Sequence, residues 1–469
     1  MEAREVKTVA DAKKIVEERK LSHVKVGLFD NDGVMRGKYM SKEKFFSSLD
    51  GGFAFCDVVL GWDVKDQLYD NAKYTGWHTG YPDAPVRILP DTCRDVLDED
   101  GMVLFIAEFT GDAEAVCPRA TLRRVLEKAE AMGFDAYAAL EYEFFIFDET
   151  PHSAREKGFR NMKTITPDWF GYSMIRNSTY SGLYKAILAM SEAMDFPIEG
   201  IHSETGPGVI EAALAVDSAK NAADKAALFK TYMKVLAQKN DMMATFMAKW
   251  TNDYPGQSGH IHLSLRDRNS GKSAFYDPDA ELNMSDIQRH FLAGQQRLMP
   301  QFLCMIAPTV NSYTRMIPGF WAPTDATWGV ENRTTSLRVI PGSDKSQRIE
   351  YRLGAADANL IWHSQQRWLP AFMALSKNSN RLTRLWVTLM TWNTPRNCNC
   401  PAHCGKPPRH SNTQMPPKPC WVRRLSSILL PRGSGKSVNS VNTSPIGNST
   451  VTSKLSRTEH GTFSNNLAG

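Results

Sequence analysis

Arg348-Ile349-Glu350-Tyr351-Arg352 alternates charged and apolar side chains with a period of two. That pattern reads as a β-strand with one charged and one apolar face. Two arginines around a glutamate on one face can hold a metal-bound nucleotide and a carboxylate at once. A few residues later, past Asn359, the chain changes character. Leu360 to Gly469 holds 14 Lys plus Arg and a single acid, Glu459, whereas Met1 to Asn359 holds 42 basic and 50 acidic residues. The body is thus at −8 and the last 110 residues at +13. The mild basicity of the whole chain belongs to the tail and gives the body no reason to bind nucleic acid.

The tail is rich in Ser, Asn, Pro and Arg and shows no sustained period, as a disordered basic arm would. It also reads as an out-of-frame translation. If one base is lost after the Asn359 codon, the codons for Leu360 to Ser379 can be chosen so that the neighbouring frame spells PYLALAAAVASGLYGIEQKL, a helix-forming composition. In the same frame and order, Cys400 to Lys406 can hide LPRTLWEA, and Gly433 to Ser440 can hide REWEKREF. Residues 360–469 are therefore expected to be a disordered tail that adds no packed core. Its Cys398, Cys400, His403 and Cys404 have spacing too irregular for a zinc site.

The body is long enough for two domains and a large core. No apolar run approaches the roughly 20 residues of a membrane span. Met1 to Lys20 is charged and lacks the apolar region of a signal peptide. Cys56, Cys93, Cys117 and Cys304 are scattered without paired spacing, as reduced thiols of a cytoplasmic protein are. Periodicity predicts a helix over 11–20, a hairpin of strands 24–29 and 35–40, a helix over 45–49, and strands 86–89 and 103–109. This small mixed domain ends at Cys117. Pro118 then starts a helix reaching Met132. Further on, strands are expected at 136–147, 209–216, 245–248, 260–265, 337–340 and 348–353. Helices are expected at 182–194, 222–240 and 285–299.

The chemistry concentrates in the second half of this body. Glu141 and Glu143 share a strand face, a costly pairing unless a cation lies between them. Glu204 and Glu211 flank the turn Thr205-Gly206-Pro207-Gly208. His260 and His262 share another strand face, after the glycine-bearing loop Gly256 to Gly259. With Glu350, these mostly oxygen ligands suit Mg²⁺ or Mn²⁺ better than zinc. Arg315, Arg333, Arg338, Arg348 and Arg352 supply charge for phosphates and a carboxylate. No GxxxxGK[ST] loop is present.

In chain order, EYEFFIF (141–147), HSETGPGVIEAAL (202–214), GQSGHIHLSL (256–265), APTVNSYTR (307–315), ENRTTSLRVIP (331–341) and SQRIEYRLGAADAN (346–359) closely resemble the glutamine synthetase family. So does the hidden continuation beginning PYLALAAA. The resemblance implies an α+β protein. A β-grasp N-terminal domain (1–117) would precede a glutamine synthetase-type α/β catalytic domain (118–359), disrupted at its C-terminal end by residues 360–469. It implies a homo-oligomeric ring with active sites between neighbouring subunits. By motif position, Glu143, Glu204 and Glu211 would bind the metal serving the substrate, and Glu141, His260 and Glu350 the metal holding the ATP phosphates. Arg315 and Arg352 would grip the glutamate carboxylate or shape its site, beside Gly256. Arg333 and Arg338 would stabilise the transferring phosphoryl group, and His262, Ser264, Lys345 and Arg348 would lie on the nucleotide side. The implied reaction makes γ-glutamyl phosphate from glutamate and ATP, from which an amine displaces phosphate.

One departure concerns the amine. Ammonium-using members carry a glutamate in a PG[YF]EAP-like loop. Here Pro318-Gly319-Phe320-Trp321-Ala322-Pro323 has Trp321 in its place. An indole accepts no proton, but it stacks on alkyl chains and attracts cations. Asp57 matches the other acid of the ammonium site and remains. The expected activity is therefore ligation of glutamate to a polyamine or monoamine, with ammonium as the alternative. A third reading is an inactive structural relative, because the C-terminal part is lost. A fourth takes Asp30-Asn31-Asp32-Gly33-Val34 as the nucleophile loop of a haloacid-dehalogenase-type phosphatase, with Asp30 attacking and Asp32 as acid.

Overall fold

The computed structural model of the chain describes residues 1–359 together with Trp368, Phe372 and Leu375. Helix α1 (Val9–Glu18) begins at a capping box: the Thr8 side chain accepts from the Asp11 N–H, and Asp11 reaches back to Thr8. β1 (His23–Phe29) and β2 (Met35–Ser41) form the expected hairpin. With α2 (Lys42–Gly51), β3 (Phe53–Cys56), β4 (Asp83–Asp95) and β5 (Val103–Phe109), they build a mixed sheet in the order β2-β1-β5-β4-β3. β1 and β5 run parallel at its centre, a β-grasp arrangement. Val24, Val26, Phe45 and Phe105 are buried in its core with Ile15 and Val16 of α1.

The second core starts at α3 (Pro118–Ala131), with Pro118 in the first turn, where its missing N–H costs nothing. β6 (Phe134–Phe147), α4 (Ser181–Ala193), β7 (Ile198–Ser203), β8 (Val209–Leu214), β9 (Asp217–Ser218), α5 (Ala219–Lys239), β10 (Met243–Thr245), β11 (Gly259–Asp267), α6 (Asp286–Leu298), α7 (Val310–Thr314), β12 (Trp328–Val330), β13 (Leu337–Ile340) and β14 (Arg348–Tyr351) follow. Among the described residues the strands make one sheet, β12-β13-β14-β11-β6-β8-β7, with β9 and β10 also paired to β6. Most boundaries lie within a few residues of those expected from periodicity. β7 is unanticipated, and the strand expected at 245–248 ends at Thr245.

The alternation of strand side chains separates two surfaces of this sheet. Leu140, Tyr142, Ile210, Ile261, Ile349 and Tyr351 are buried in the same cluster as Phe229 and Met233 of α5. The residues between them face the other way and carry the charges. The two cores are tied together by Arg119. Its guanidinium donates to Glu108 of β5 at 2.6 Å and to Asp224 of α5 at 3.0 Å, all three groups being buried. Asn359 adds a second tie, donating to the carbonyls of Asp30 (3.1 Å) and Asn31 (2.9 Å).

Packing does not stop at Asn359. Trp368 and Phe372 are helical, buried and stacked on each other, and both rings meet Phe291 of α6. Leu375 packs on the same core. The spacing is that of one helix face. At these three positions the expectation of a tail without packed core does not hold. Its other parts, including Cys398, Cys400, His403 and Cys404, lie outside the described residues.

Candidate active site

Strand register assembles the charged face. His202 of β7 lies opposite Glu211 of β8, and Glu211 opposite Glu143 of β6. On the other side of β6, Glu141 lies opposite His260 of β11. His262 is opposite Glu350 of β14, and Glu350 opposite Arg338 of β13. Glu204 enters from the turn after β7, taking the Thr205 N–H at 2.8 Å and lying 3.0 Å from His202 Nε2. Glu143 accepts the Ser258 N–H at 2.8 Å, which ties it to the loop Gly256 to Gly259.

Two groups of potential ligands result. In the first, the donor atoms of Glu141, His262 and Glu350 lie within 4.8 Å of one another. His260 Nδ1 is also 3.4 Å from both Glu141 and Glu350, and its Nε2 is buried without a hydrogen-bond partner among the described residues. Arg348 Nε donates to His262 Nδ1 at 3.1 Å, and His262 Nε2 faces Glu141 at 2.9 Å. His262 Nε2 is, like His260 Nε2, buried without a hydrogen-bond partner among the described residues, so either imidazole can turn a ring nitrogen to a cation beside Glu141 and Glu350. In the second group, His202, Glu204 and Glu211 lie within 4.8 Å of one another. His202 was not among the expected residues. Its signal was the i, i+2 spacing to Glu204, the same spacing as Glu141–Glu143 and His260–His262.

The charges are unbalanced in a way that suits a hard divalent cation. Burial, and then the carboxylates of Glu143, Glu141 and Glu204, push the Glu211 carboxyl up to about 9. Burial opposes ionisation of Glu141, but hydrogen bonds from His260 and His262 outweigh it and hold this carboxyl well below the usual range. Glu350 and Glu204 are also lowered despite burial, Glu350 by His260 and Arg352, and Glu204 by His202 and Thr205. Five carboxylates, with the imidazoles of His202, His260 and His262 among them, form an oxygen-rich donor set that fits Mg²⁺ or Mn²⁺.

The cations surround this surface. Arg338 donates to Glu350 at 3.0 Å and pairs with Glu331, and Arg352 pairs with Glu350 through Nη1. Arg352 Nε donates to the Arg333 carbonyl at 3.1 Å, while the Arg333 side chain is exposed. Arg315 is 2% exposed and donates to the carbonyls of Leu353 (3.1 Å) and Arg352 (3.3 Å). Both carbonyls belong to the segment that follows β14 from Arg352. Gly256 has no room for a side chain: a Cβ would lie 2.3 Å from the Ala248 carbonyl oxygen and 2.7 Å from Arg315 Cγ. His262, Ser264, Lys345 and Arg348 all line one cavity of about 300 Å³ with Glu141, walled by Ala139, Leu214 and Val216.

Two residues stand apart. Asp57 lies at the start of a short 3₁₀ turn in the N-terminal part, buried and accepting from Thr75 Oγ1 at 2.6 Å. Burial raises its carboxyl, Thr75 opposes this, and Asp83 adds to it. Among the described residues no contact joins it to the carboxylate face of its own chain. Trp321 is 60% exposed with φ +60°, a conformation that bulky residues rarely adopt. The phosphatase alternative does not survive. The Asp30 carboxylate is fully buried and accepts from Asp32 N–H, Val34 N–H and Arg36 Nε, so it holds a turn and presents no nucleophile.

The β-grasp unit and the charged face of the large sheet define a two-part α/β enzyme architecture. The family described as "Glutamine synthetase, catalytic domain" matches residues 115–360. The chain belongs to the glutamine synthetase family, whose members are ATP-dependent ligases and include γ-glutamylamine ligases. A type-1 glutamine synthetase of Dictyostelium discoideum is 43% identical over 339 residues, 72% of this chain and 65% of that protein. The chain thus spans slightly less than two thirds of that relative. A glutamate–isopropylamine ligase of Pseudomonas is 33% identical over 360 residues, 75% of this chain and 78% of that protein. The γ-glutamylputrescine synthetase of Escherichia coli is 31% identical over 350 residues, 72% of each chain. A solved structure described as a GmaS–ADP complex superimposes with a TM-score of 0.67 at 22% identity, over 78% of this chain and 81% of that one. That likeness speaks for the fold.

Proposed function

We propose that the chain joins the γ-carboxylate of glutamate to an organic amine at the expense of ATP. The observation that carries this reading is Trp321, an exposed indole at the position where ammonium-using members hold a carboxylate. The names of the Pseudomonas and Escherichia coli relatives, an isopropylamine ligase and a putrescine synthetase, favour the same class of substrate. In the first step the γ-carboxylate attacks the γ-phosphate of ATP, ADP leaves, and an acyl phosphate forms. In the second the neutral amine attacks the acyl carbon, phosphate leaves, and the amine's proton passes to a base. Glu143, Glu204 and Glu211, and separately Glu141, His260 and Glu350, would hold divalent cations, which neutralise charge developing on phosphoryl oxygens. Arg338 and Arg333 serve the same charge from the protein side. His262, Ser264, Lys345 and Arg348 line the nucleotide cavity. Asp57, remote from these groups in its own chain, serves as the amine's acid–base partner for a neighbouring subunit of a ring. ADP and phosphate formation, measured with ammonium, monoamines and polyamines at equal concentration, tests the reading. A clear preference for ammonium overturns its substrate half.

The second reading, glutamine formation from ammonium, is favoured by the retained Asp57 and by the name of the Dictyostelium relative. In that case Trp321 only packs its loop, and the same assay separates the two.

A further inference from the structure

Lys249 is 3% exposed, and its ammonium has no hydrogen-bond acceptor among the described residues. Its Nζ lies 4.8 Å from the centre of the Phe320 ring, in the same loop as Trp321. A buried ammonium facing only a ring face is poorly compensated, since cation–π attraction replaces a small part of lost hydration. Such a group is a site awaiting an anion.

Its surroundings say which anion. The Lys249 N–H donates to Asn311 Oδ1 at 2.9 Å, and Asn311 Nδ2 returns to the Lys249 carbonyl at 2.6 Å. This locks Lys249 to α7, the helix that leads into Arg315. The carbonyl of its neighbour Ala248 accepts from the Gln257 N–H at 2.7 Å and sits against Gly256. Lys249 therefore adjoins the loop and the arginine expected to serve the glutamate carboxylate. Both arginines of that expectation are already engaged, Arg315 on two backbone carbonyls and Arg352 on Glu350 and the Arg333 carbonyl. Of these three cations, the ammonium alone has no acceptor. The nearest acid acting on it, Asp253, is hydrogen-bonded to Thr251.

We infer that Lys249 binds the non-reacting α-carboxylate of the substrate, with the Phe320 ring occupying that place until substrate displaces it. The inference rests on the glutamate-ligase reading and names a binding residue for it. Phe320 also meets Trp169, which meets Tyr254, so the ring belongs to an aromatic cover over this part of the site. Binding of the α-carboxylate would then move the loop that carries Trp321, which links glutamate binding to the amine end.

The test is equilibrium binding to the full chain in the presence of Mg·ADP. Two probes are compared: glutamate, and its analogue with the α-carboxylate as a carboxamide. Lys249→Met keeps the stem and removes the charge. It is expected to weaken glutamate binding about 10- to 100-fold, the range for a charge-assisted hydrogen bond. Binding of the amide analogue should change by less than about threefold, because its head group offers no charge to lose. Mg·ADP affinity should be unchanged and also reports that the variant is folded. Equal losses for both probes would mean a structural role and overturn the inference. If Lys249→Met does not fold, Lys249→Gln is read in the same way. Lys249→Arg should keep most of the discrimination between the probes, and its loss would likewise count against the inference. If the unmutated chain binds no glutamate, the ligase reading fails and the inference falls with it. If it does bind and the variants bind equally well, the inference alone fails.

Discussion

Glu143 and Glu211 stand directly opposite each other on neighbouring antiparallel strands, two carboxylates on one sheet face. Like charges in that relation destabilise a sheet unless one is neutral or a cation intervenes. In the metal-free protein the Glu211 carboxyl is pushed up to about 9 by burial and then by Glu143, Glu141 and Glu204. Its folded value thus lies above its unfolded value, near 4.5. Between these two values the native state binds the extra proton, so stability falls as pH rises, and the fall ends above about pH 9. Denaturant unfolding of metal-free protein between pH 6 and 9 should show that decline, and Glu211→Gln should flatten it. Mg²⁺ must displace the proton, so its affinity should rise over the same interval. A metal affinity independent of pH would contradict the assignment.

Gly256 is fixed by contact, because the Ala248 carbonyl lies where its side chain would begin. Gly256→Ala must move backbone, and overpacking of this kind costs about 1–3 kcal/mol. The shift falls on Gln257 and Ser258, whose N–H groups hold Ala248 and Glu143. If that cost falls on the bound state, glutamate affinity should drop about 5- to 150-fold. Mg·ADP binding, which we propose uses the cavity around His262 and Arg348, should be nearly unchanged. Calorimetry with each ligand decides the matter, and parallel losses of both would show general unfolding.

The period-two spacings of Glu141 with Glu143, His260 with His262, and Glu350 with its arginines were enough to put each set on one strand face. They could not say which strands lie side by side. That depends on the 14-residue β6, which pairs with β11, β8, β9 and β10 along its length. Gly200 and a register shift between Ile198 and Gly200 break the alternation of β7, so neither that strand nor His202 stands out in the sequence. Arg315 illustrates the converse: its identity alone leaves open whether it grips a carboxylate or shapes the site, and only the fold shows it buried against two backbone carbonyls. Lys249 in Met-Ala-Lys-Trp reads locally as a solvated lysine. Its burial depends on residues far along the chain, Asn311 and Phe320 among them.

Trp368, Phe372 and Leu375 dock on the catalytic core, and the neighbouring reading frame places valine, leucine and isoleucine at the same three positions. The docking stripe is thus apolar in either frame. The written frame fits less well, since the Trp368 indole N–H is buried without an acceptor among the described residues. An unsatisfied buried donor costs about 1–3 kcal/mol. Replacing residues 360–379 by the alternative-frame peptide should therefore raise the melting temperature by several degrees. It should also shift the size distribution toward larger assemblies, if the restored helix carries subunit contacts. Unchanged melting and unchanged sedimentation would remove the support for a frame change.

The amine side of the proposed reaction turns on Trp321, which has a left-handed backbone and an exposed indole and which the motif resemblance matches to a proton acceptor in ammonium-using members. A side chain held in that region stores about 1–3 kcal/mol of strain, which persists when surrounding structure enforces it. Trp321→Glu keeps the loop and returns an acceptor, so turnover with ammonium should rise relative to turnover with monoamines and polyamines. Proton removal in the second step supplies typically 10²- to 10⁴-fold, so a partial return of about tenfold in the ammonium-to-amine ratio is the expected scale. Trp321→Phe keeps a ring face and should preserve the original preference. Trp321→Ala should lose affinity for the amine without gaining ammonium activity. The assay follows phosphate release at fixed glutamate and ATP while the amine is varied. If Trp321→Glu leaves the ratio unchanged, the indole packs the loop and does not select the amine.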